Sequence, residues 1–250
     1  MSRRHVFICG LHRSGTSPLH DILKSHPLVT GFSNTGKPKD EGQHLQTVLG
    51  RDGDFGGPGA FCHDPAARLT ERDIPAYEER LPELKASWEA LWAPDRPVRV
   101  EKSPTNLIRS RFLQAAFEDA RFVFIVRHPL AVARATRKWS HAGEEKLFRH
   151  WIAAHRIMVE DAPFIKRSCC VRYEDLAADL NRTLARVWEL AEVAPIDVDA
   201  SHFVDHNSAY FAAPVRFPLD AGERALLARF GYELSYEPPP RTRFDQPFGW

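Results

Sequence analysis

Residues 4–23, RHVFICGLHRSGTSPLHDIL, constrain this chain more than any other stretch. Residues 6–9 form an unbroken apolar run, the pattern of a strand buried on both faces of a parallel sheet. Gly10 and Gly15 then permit a tight backbone turn, and a helical pattern follows at once. Ser14, Thr16 and Ser17 bring hydroxyls to the start of that helix, where free N–H groups and the helix dipole favour an anion. The unit predicts a phosphate cradle at the opening of an α/β fold.

Gly10 and Gly15 have the spacing of a nucleotide-triphosphate P-loop, but Thr16 and Ser17 follow where that motif requires Lys and then Ser or Thr. The cation sits inside the turn instead, at Arg13, whose guanidinium suits a fork onto one terminal anionic group. A second strand pattern, RFVFIV at 121–126, ends in Arg127-His128-Pro129. A triphosphatase strand of this kind would end in an acid that helps to hold Mg²⁺. Both magnesium-triphosphate devices are thus replaced by guanidinium groups, which suits an anionic nucleotide held by direct charge pairing without a metal. Pro129 suits the first turn of the next helix, which Leu130, Val132, Ala133 and Thr136 continue.

These motifs resemble those of the sulfotransferases that use 3′-phosphoadenosine 5′-phosphosulfate (PAPS). The family's 5′-phosphosulfate loop is similar to Gly10-Leu11-His12-Arg13-Ser14-Gly15-Thr16-Ser17, and its 3′-phosphate motif to Arg127-His128-Pro129 with the following helix. Glu101-Lys102-Ser103-Pro104 is similar to its E-K-[ST]-P element, and Val171-Arg172-Tyr173-Glu174-Asp175-Leu176 to its V-R-Y-E-D-L strand end. The R-S-G-T of the loop is closest in style to bacterial and tyrosyl-protein-type members. The resemblance implies that His12, Arg13, Ser14, Gly15, Thr16 and Ser17 hold the 5′-phosphosulfate, Arg127 the 3′-phosphate, and that Tyr173 approaches the nucleotide. It also implies a reaction that needs no metal, with Arg13 and Lys102 on the leaving phosphate. One position departs. The family usually carries a serine eight residues after the 3′-motif arginine, and here that position is Ala135. Loss of a hydrogen bond to a charged group costs roughly 1.5–3 kcal/mol. Thr136, adjacent but about 100° round the helix, is the expected substitute ligand for the 3′-phosphate if the helix is turned or the ligand shifted, with Arg134 and Arg137 as further donors.

Sulfuryl transfer also needs a base for the acceptor's proton. Related families use a glutamate soon after the phosphosulfate loop, and Glu41 is the nearest such residue. Asp40-Glu41-Gly42-Gln43-His44 could open a helix, which would put Glu41 and His44 on one face. His44 has the unperturbed pKa better suited to a base near neutrality, so both residues stand as candidates.

With 250 residues, 43% of them hydrophobic, the chain can fill one α/β core. The expected architecture is a three-layer α/β/α P-loop-type fold with a central parallel sheet. It forms a single domain over residues 1–236 with a helical and loop cap at about 31–97. A net charge of +1 disfavours nucleic acid as partner. The apolar run at the N-terminus is too short for a signal peptide, and no 18-residue apolar segment occurs, so the expected location is the cytoplasm. Cys9, Cys62, Cys169 and Cys170 make no C-x-x-C pair and read as reduced, buried thiols. No H-E-x-x-H occurs among the twelve histidines, and no metal site is expected.

Within the cap, the glycine-rich run 50–59 reads as a mobile loop. Tyr77, Leu81, Leu84, Trp88, Leu91 and Trp92 follow helical spacing interrupted by Pro82. Phe148, Trp151, Ile152, His155 and Met158, and Leu180, Leu184, Val187, Trp188 and Leu190, read as core faces of two helices. Residues 237–250 read as an extended proline-rich tail. The function expected is transfer of a sulfuryl group from PAPS to a hydroxyl acceptor on a carbohydrate, lipid, peptide or small metabolite. A P-loop small-molecule kinase and a non-catalytic nucleotide-binding homologue are the alternatives.

Overall fold

The computed structural model describes residues 3–211, 215 and 217–234; the expected tail at 237–250 lies outside them. Five strands, β1 (Arg4–Cys9), β2 (Val29–Gly31), β3 (Val98–Lys102), β4 (Ala120–Val126) and β5 (Ser168–Arg172), form one parallel sheet in the order β2-β3-β1-β4-β5. The helices described are α1 (Thr16–Ser25), the single turn α2 (Ile74–Tyr77), α3 (Leu81–Glu89), α4 (Ser110–Ala116), α5 (Pro129–Thr136), α6 (Glu144–Asp161), α7 (Tyr173–Ala178), α8 (Leu180–Ala191) and α9 (Ala221–Arg229).

Side chains on a strand alternate between faces, and here both faces are apolar. Phe7, Cys9, Phe122, Phe124 and Val126 join one core cluster with Trp88 of α3, Phe112 of α4 and Phe148 and Trp151 of α6. Val6, Ile8, Val123 and Ile125 join another with Leu19 and Leu23 of α1 and Leu184, Val187 and Trp188 of α8. The result is the expected three-layer α/β/α domain. Each fully buried Val, Ile or Phe stabilises it by roughly 1.5–3 kcal/mol, so β4, buried along its whole length, is a principal anchor. Within α8 the predicted stripe is buried except Leu190, which packs at the cluster's edge.

The interruption expected near Pro82 is present: a separate 3₁₀ turn, Glu78–Arg80, stands between α2 and α3. Pro82 lies in the first turn of α3, where its missing N–H costs nothing. Tyr77 belongs to the separate turn α2, and Leu91, past the end of α3, is exposed.

The glycine-rich run expected to be mobile is tied down. Asp52–Phe55 forms a short 3₁₀ turn, Asp52 is buried, and the Asp52 N–H donates to Gln43 Oε1 at 3.0 Å. Arg109 Nη1 donates to Gly50 O at 2.7 Å and its Nε to Ala67 O at 2.8 Å. Buried side-chain donors thus satisfy carbonyls that a sheet or helix would otherwise have paired.

In a parallel sheet all strands end on one side. The turns after β1, β3, β4 and β5 therefore gather at one edge, where ligands bind in open α/β sheets.

Candidate active site

The turn after β1 is built on two left-handed residues, Arg13 at φ 67° and Gly15 at φ 95°. Gly15 adopts this freely, and a Cβ there would meet the Tyr173 ring at 2.8 Å. Arg13 pays roughly 1–3 kcal/mol for it, the kind of strain that collects at functional sites. Its guanidinium lies over the Trp139 ring, 4.9 Å from the centroid. Arg13 Nε and Ser14 Oγ are buried without a hydrogen-bond partner among the described residues. Each such group costs about 1–3 kcal/mol unless something satisfies it.

Arg127 follows β4 directly. Its Nη1 donates to Arg13 O at 2.8 Å and its Nε to Asn207 Oδ1 at 2.8 Å, while the guanidinium lies 4.0 Å from the Tyr173 ring centroid. Nη2 has no partner among the described residues. Tyr173 is fixed in turn, its hydroxyl donating to Val204 O at 2.7 Å and accepting from His206 N at 3.0 Å. Glu174 supports the assembly from below, accepting from Asn207 Nδ2 at 2.8 Å, His128 N at 3.0 Å and the Tyr232 hydroxyl at 2.7 Å. Burial pushes its carboxyl up.

His128 is a cap, not a ligand. Its Nδ1 accepts from Leu130 N at the start of α5, and its Nε2 lies 2.9 Å from Glu233 O. Burial lowers the imidazole to about 4, so it is neutral and suited to this role.

On the other side of the groove, Glu41 is not in an α-helix; it precedes a single 3₁₀ turn, Gly42–His44. Its Oε1 lies 3.5 Å from Lys102 Nζ, its Oε2 accepts from Gln43 Nε2 at 2.8 Å, and His44 Nε2 lies 3.7 Å from Oε2. Both candidate bases and the lysine of the Glu101-Lys102-Ser103-Pro104 element are therefore brought together. Burial lowers the Lys102 ammonium, opposed by the charges of Glu41 and Glu101.

Glu101 secures this arrangement. Fully buried, it accepts from Gly42 N at 3.0 Å, Ser103 Oγ at 2.5 Å and Asn106 Nδ2 at 2.6 Å. Burial raises its carboxyl to about 7 against those hydrogen bonds. A Cβ at residue 42 would lie 2.4 Å from Glu101 Oε1, so only glycine fits beside Glu41.

A groove of about 380 Å³ joins the turn after β1 to Arg127, Tyr173 and Glu41, while Lys102 and His44 are not among its lining residues and meet it through Glu41. His12, Arg13, Gly15, Thr16 and Ser17 line it together with Arg127, Tyr173 and Glu41. Ser14 is fully buried within the same turn. His12 Nε2 pairs with Asp52 Oδ2 at 2.9 Å, and although burial would raise Asp52, His12 holds its carboxyl below the ordinary value.

Thr136 is not among the lining residues. It borders a separate narrow cavity with His12 and His150. Ala135 is fully buried, and Arg134 is paired through Nε with Glu144 at 2.8 Å.

Sequence reasoning missed Lys39, Trp139 and His206 on the groove wall. None lies in a recognisable motif. Glu101 and Glu174 do, as part of the two supporting segments.

The sequence profile of the Sulfotransferase family matches residues 5–197. No curated protein matches the chain. Among solved structures, the sulfotransferase domain of the Synechococcus PCC 7002 olefin synthase superposes with a TM-score of 0.58 at 18% identity, covering 93% of this chain and 96% of that one. The sulfotransferase domain from the curacin biosynthetic pathway gives 0.56 at 16% identity, covering 93% and 99%. Sulfotransferase STF9 from Mycobacterium avium gives 0.53 at 15% identity, covering 92% and 76%. At these identities the structures speak for the fold, and the profile, spanning most of the chain, speaks for the lineage: the chain belongs to the sulfotransferase family.

Proposed function

We propose that this protein transfers the sulfuryl group of PAPS to a hydroxyl acceptor. The observation that carries this reading is the convergence of Arg13 and Arg127, each with a buried guanidinium nitrogen unpartnered among the described residues, on one groove whose wall also bears Glu41. Unpartnered buried donors fit a ligand of several anionic groups.

In this reading Arg127 takes the 3′-phosphate, with Tyr173 beneath it, and the turn 12–17 takes the 5′-phosphosulfate. Ser14 Oγ and the N–H groups opening α1 are its further donors. Glu41 accepts the acceptor's proton as the acceptor oxygen bonds to sulfur. The bond from sulfur to the bridging phosphate oxygen breaks, and its electron pair leaves on the 5′-phosphate of PAP. Arg13 and Lys102 stabilise that growing charge, which is where preorganised cations contribute most. No metal is assigned to the transferred group. His44 orients the Glu41 carboxylate, and the segment 31–97 forms the acceptor side. With four free, buried cysteines, the enzyme suits the reducing cytoplasm.

The test is calorimetry without added divalent cation, followed by turnover with labelled PAPS and pools of hydroxyl compounds. PAP binding without Mg²⁺ and label transfer to a hydroxyl are the expected results. Tighter, Mg²⁺-dependent binding of ATP would overturn the reading.

A further inference from the structure

We propose that Cys62, His63 and His150 form a zinc site that clips the segment between β2 and β3 to helix α6. Cys62 and His63 are neighbours in the turn Phe61–His63, and His150 lies within α6. One donor atom from each lies within 4.8 Å of the other two. Cys62 Sγ is 2.8 Å from His150 Nδ1 and 3.3 Å from His150 O. Among the described residues, the hydrogen-bond partner of the His150 ring is that sulfur.

The donor chemistry selects the ion. One thiolate and two imidazoles form a borderline-soft set that suits Zn²⁺, and Mg²⁺ or Ca²⁺ would require oxygen donors. Zn–S bonds of about 2.3 Å and Zn–N bonds of about 2.0–2.1 Å imply tetrahedral donor separations of roughly 3.3–3.6 Å. The Cys62–His150 pair is closer than this, and the other donors lie within 4.8 Å. Side-chain adjustments of roughly 1 Å bring the donors to the zinc geometry.

The rings are already held. Phe61 meets His150 edge-on at 4.9 Å between centroids, and the His63 and His150 rings are 5.5 Å apart. Cys62 and His150 are buried whereas His63 is exposed, so the ion enters from the His63 side, and water supplies the fourth donor. The site is distinct from the phosphate groove, although His12 and His150 share the narrow cavity beside it. In this role the ion holds the turn next to the run that carries Asp52, the partner of His12.

No sequence spacing announces this site, because its third donor lies far along the chain from the first two. Cys62 is the free, buried thiol expected, to which the proposal adds a metal.

The experiment uses the whole chain, stripped with a chelator and dialysed, then titrated with Zn²⁺ against a chromophoric competitor and separately with Co²⁺. One equivalent of Zn²⁺ should bind, and the Co²⁺ form should show a thiolate-to-cobalt charge-transfer band. Cys62→Ala should abolish that band and Cys169→Ala should retain it. His63→Ala, at an exposed position, should weaken Zn²⁺ by more than the roughly 10–100-fold that loss of an outer-shell partner costs. Should Cys62→Ala fail to fold, the wild-type Co²⁺ spectrum and His63→Ala decide alone. No stoichiometric Zn²⁺ binding, no charge-transfer band in the wild type, or unchanged affinity in His63→Ala would overturn the proposal.

Discussion

The two walls of the groove are built by opposite means. On one wall Arg13 and Arg127 are carried by turns that leave adjacent strands, β4 buried throughout and β1 buried from Val6 onward, so the sheet fixes their places. On the other, Glu41 sits in an irregular segment of short 3₁₀ turns whose backbone is satisfied by individual side chains, some distant and some local. Trp88 Nε1 donates to Gly42 O at 3.0 Å, and Gln46 alone makes four hydrogen bonds, accepting from Val48 N and Leu49 N and donating to Gln43 O and Leu49 O. A wall set by strands is rigid wherever its core is intact. A wall set by individual hydrogen bonds stands or falls with single residues.

The sharpest attempt to separate the walls is Glu41→Gln. It should lower kcat by roughly 10²–10⁴ and leave PAP affinity almost unchanged, since the amide keeps the shape and loses the basicity. Steady-state turnover beside calorimetry reads both quantities. A milder loss there than in His44→Asn would transfer the base role to His44.

Arg127→Ala addresses the opposite wall. Each charged hydrogen bond removed should cost about 1.5–3 kcal/mol of PAP binding, whereas adenosine 5′-phosphosulfate, which lacks the 3′-phosphate, should lose far less. Equal losses for the two nucleotides would show that Arg127 does not read that phosphate.

Gln46→Ala asks whether the irregular wall folds independently. It should lower stability by about 1–3 kcal/mol and speed amide exchange over residues 42–52, while PAP affinity stays within a few-fold of wild type. A parallel collapse of PAP binding would break the distinction between the walls.

The last test lies at the seam, at Glu101. Its carboxyl titrates at about 7 when folded against 4.5 ordinarily. A carboxyl raised by folding binds its proton more tightly in the folded state, so its contribution is full below about pH 4.5 and lost as pH rises through about 7. Wild-type urea midpoints should therefore fall across that window, and Glu101→Gln, though less stable overall, should show a flatter profile. An identical slope in both proteins would place the titration elsewhere.

The same contrast explains what was legible beforehand. The sheet and the phosphate turn rest on local signals: apolar runs for β1 and β4, the two glycines flanking Arg13, and Pro129 at the start of α5. Arg127 and Tyr173 needed the motifs at strand ends, and both line the groove. The irregular wall is made by long-range contacts such as Arg109 with Gly50 and Ala67, or Ser103 Oγ with Gln43 N, which leave no periodicity to detect. Hence a glycine-rich run that reads as a free loop is tethered, and Trp139, though it meets Arg13, gives no warning in its neighbourhood. Thr136 shows the limit of adjacency, since one residue along a helix sends a side chain into a different cavity.

Because β1 and β4 are hydrogen-bonded neighbours, spaced about 4.8 Å apart as paired strands are, the guanidinium after one strand and the turn after the other act as the jaws of a calliper. Arg127 grips the carbonyl of Arg13, so the jaws are locked to each other before any ligand enters. The span they measure belongs to the sheet and not to the irregular wall. Descendants of this chain could therefore redraw the segment around Glu41 without recalibrating the span between the two guanidinium-bearing turns.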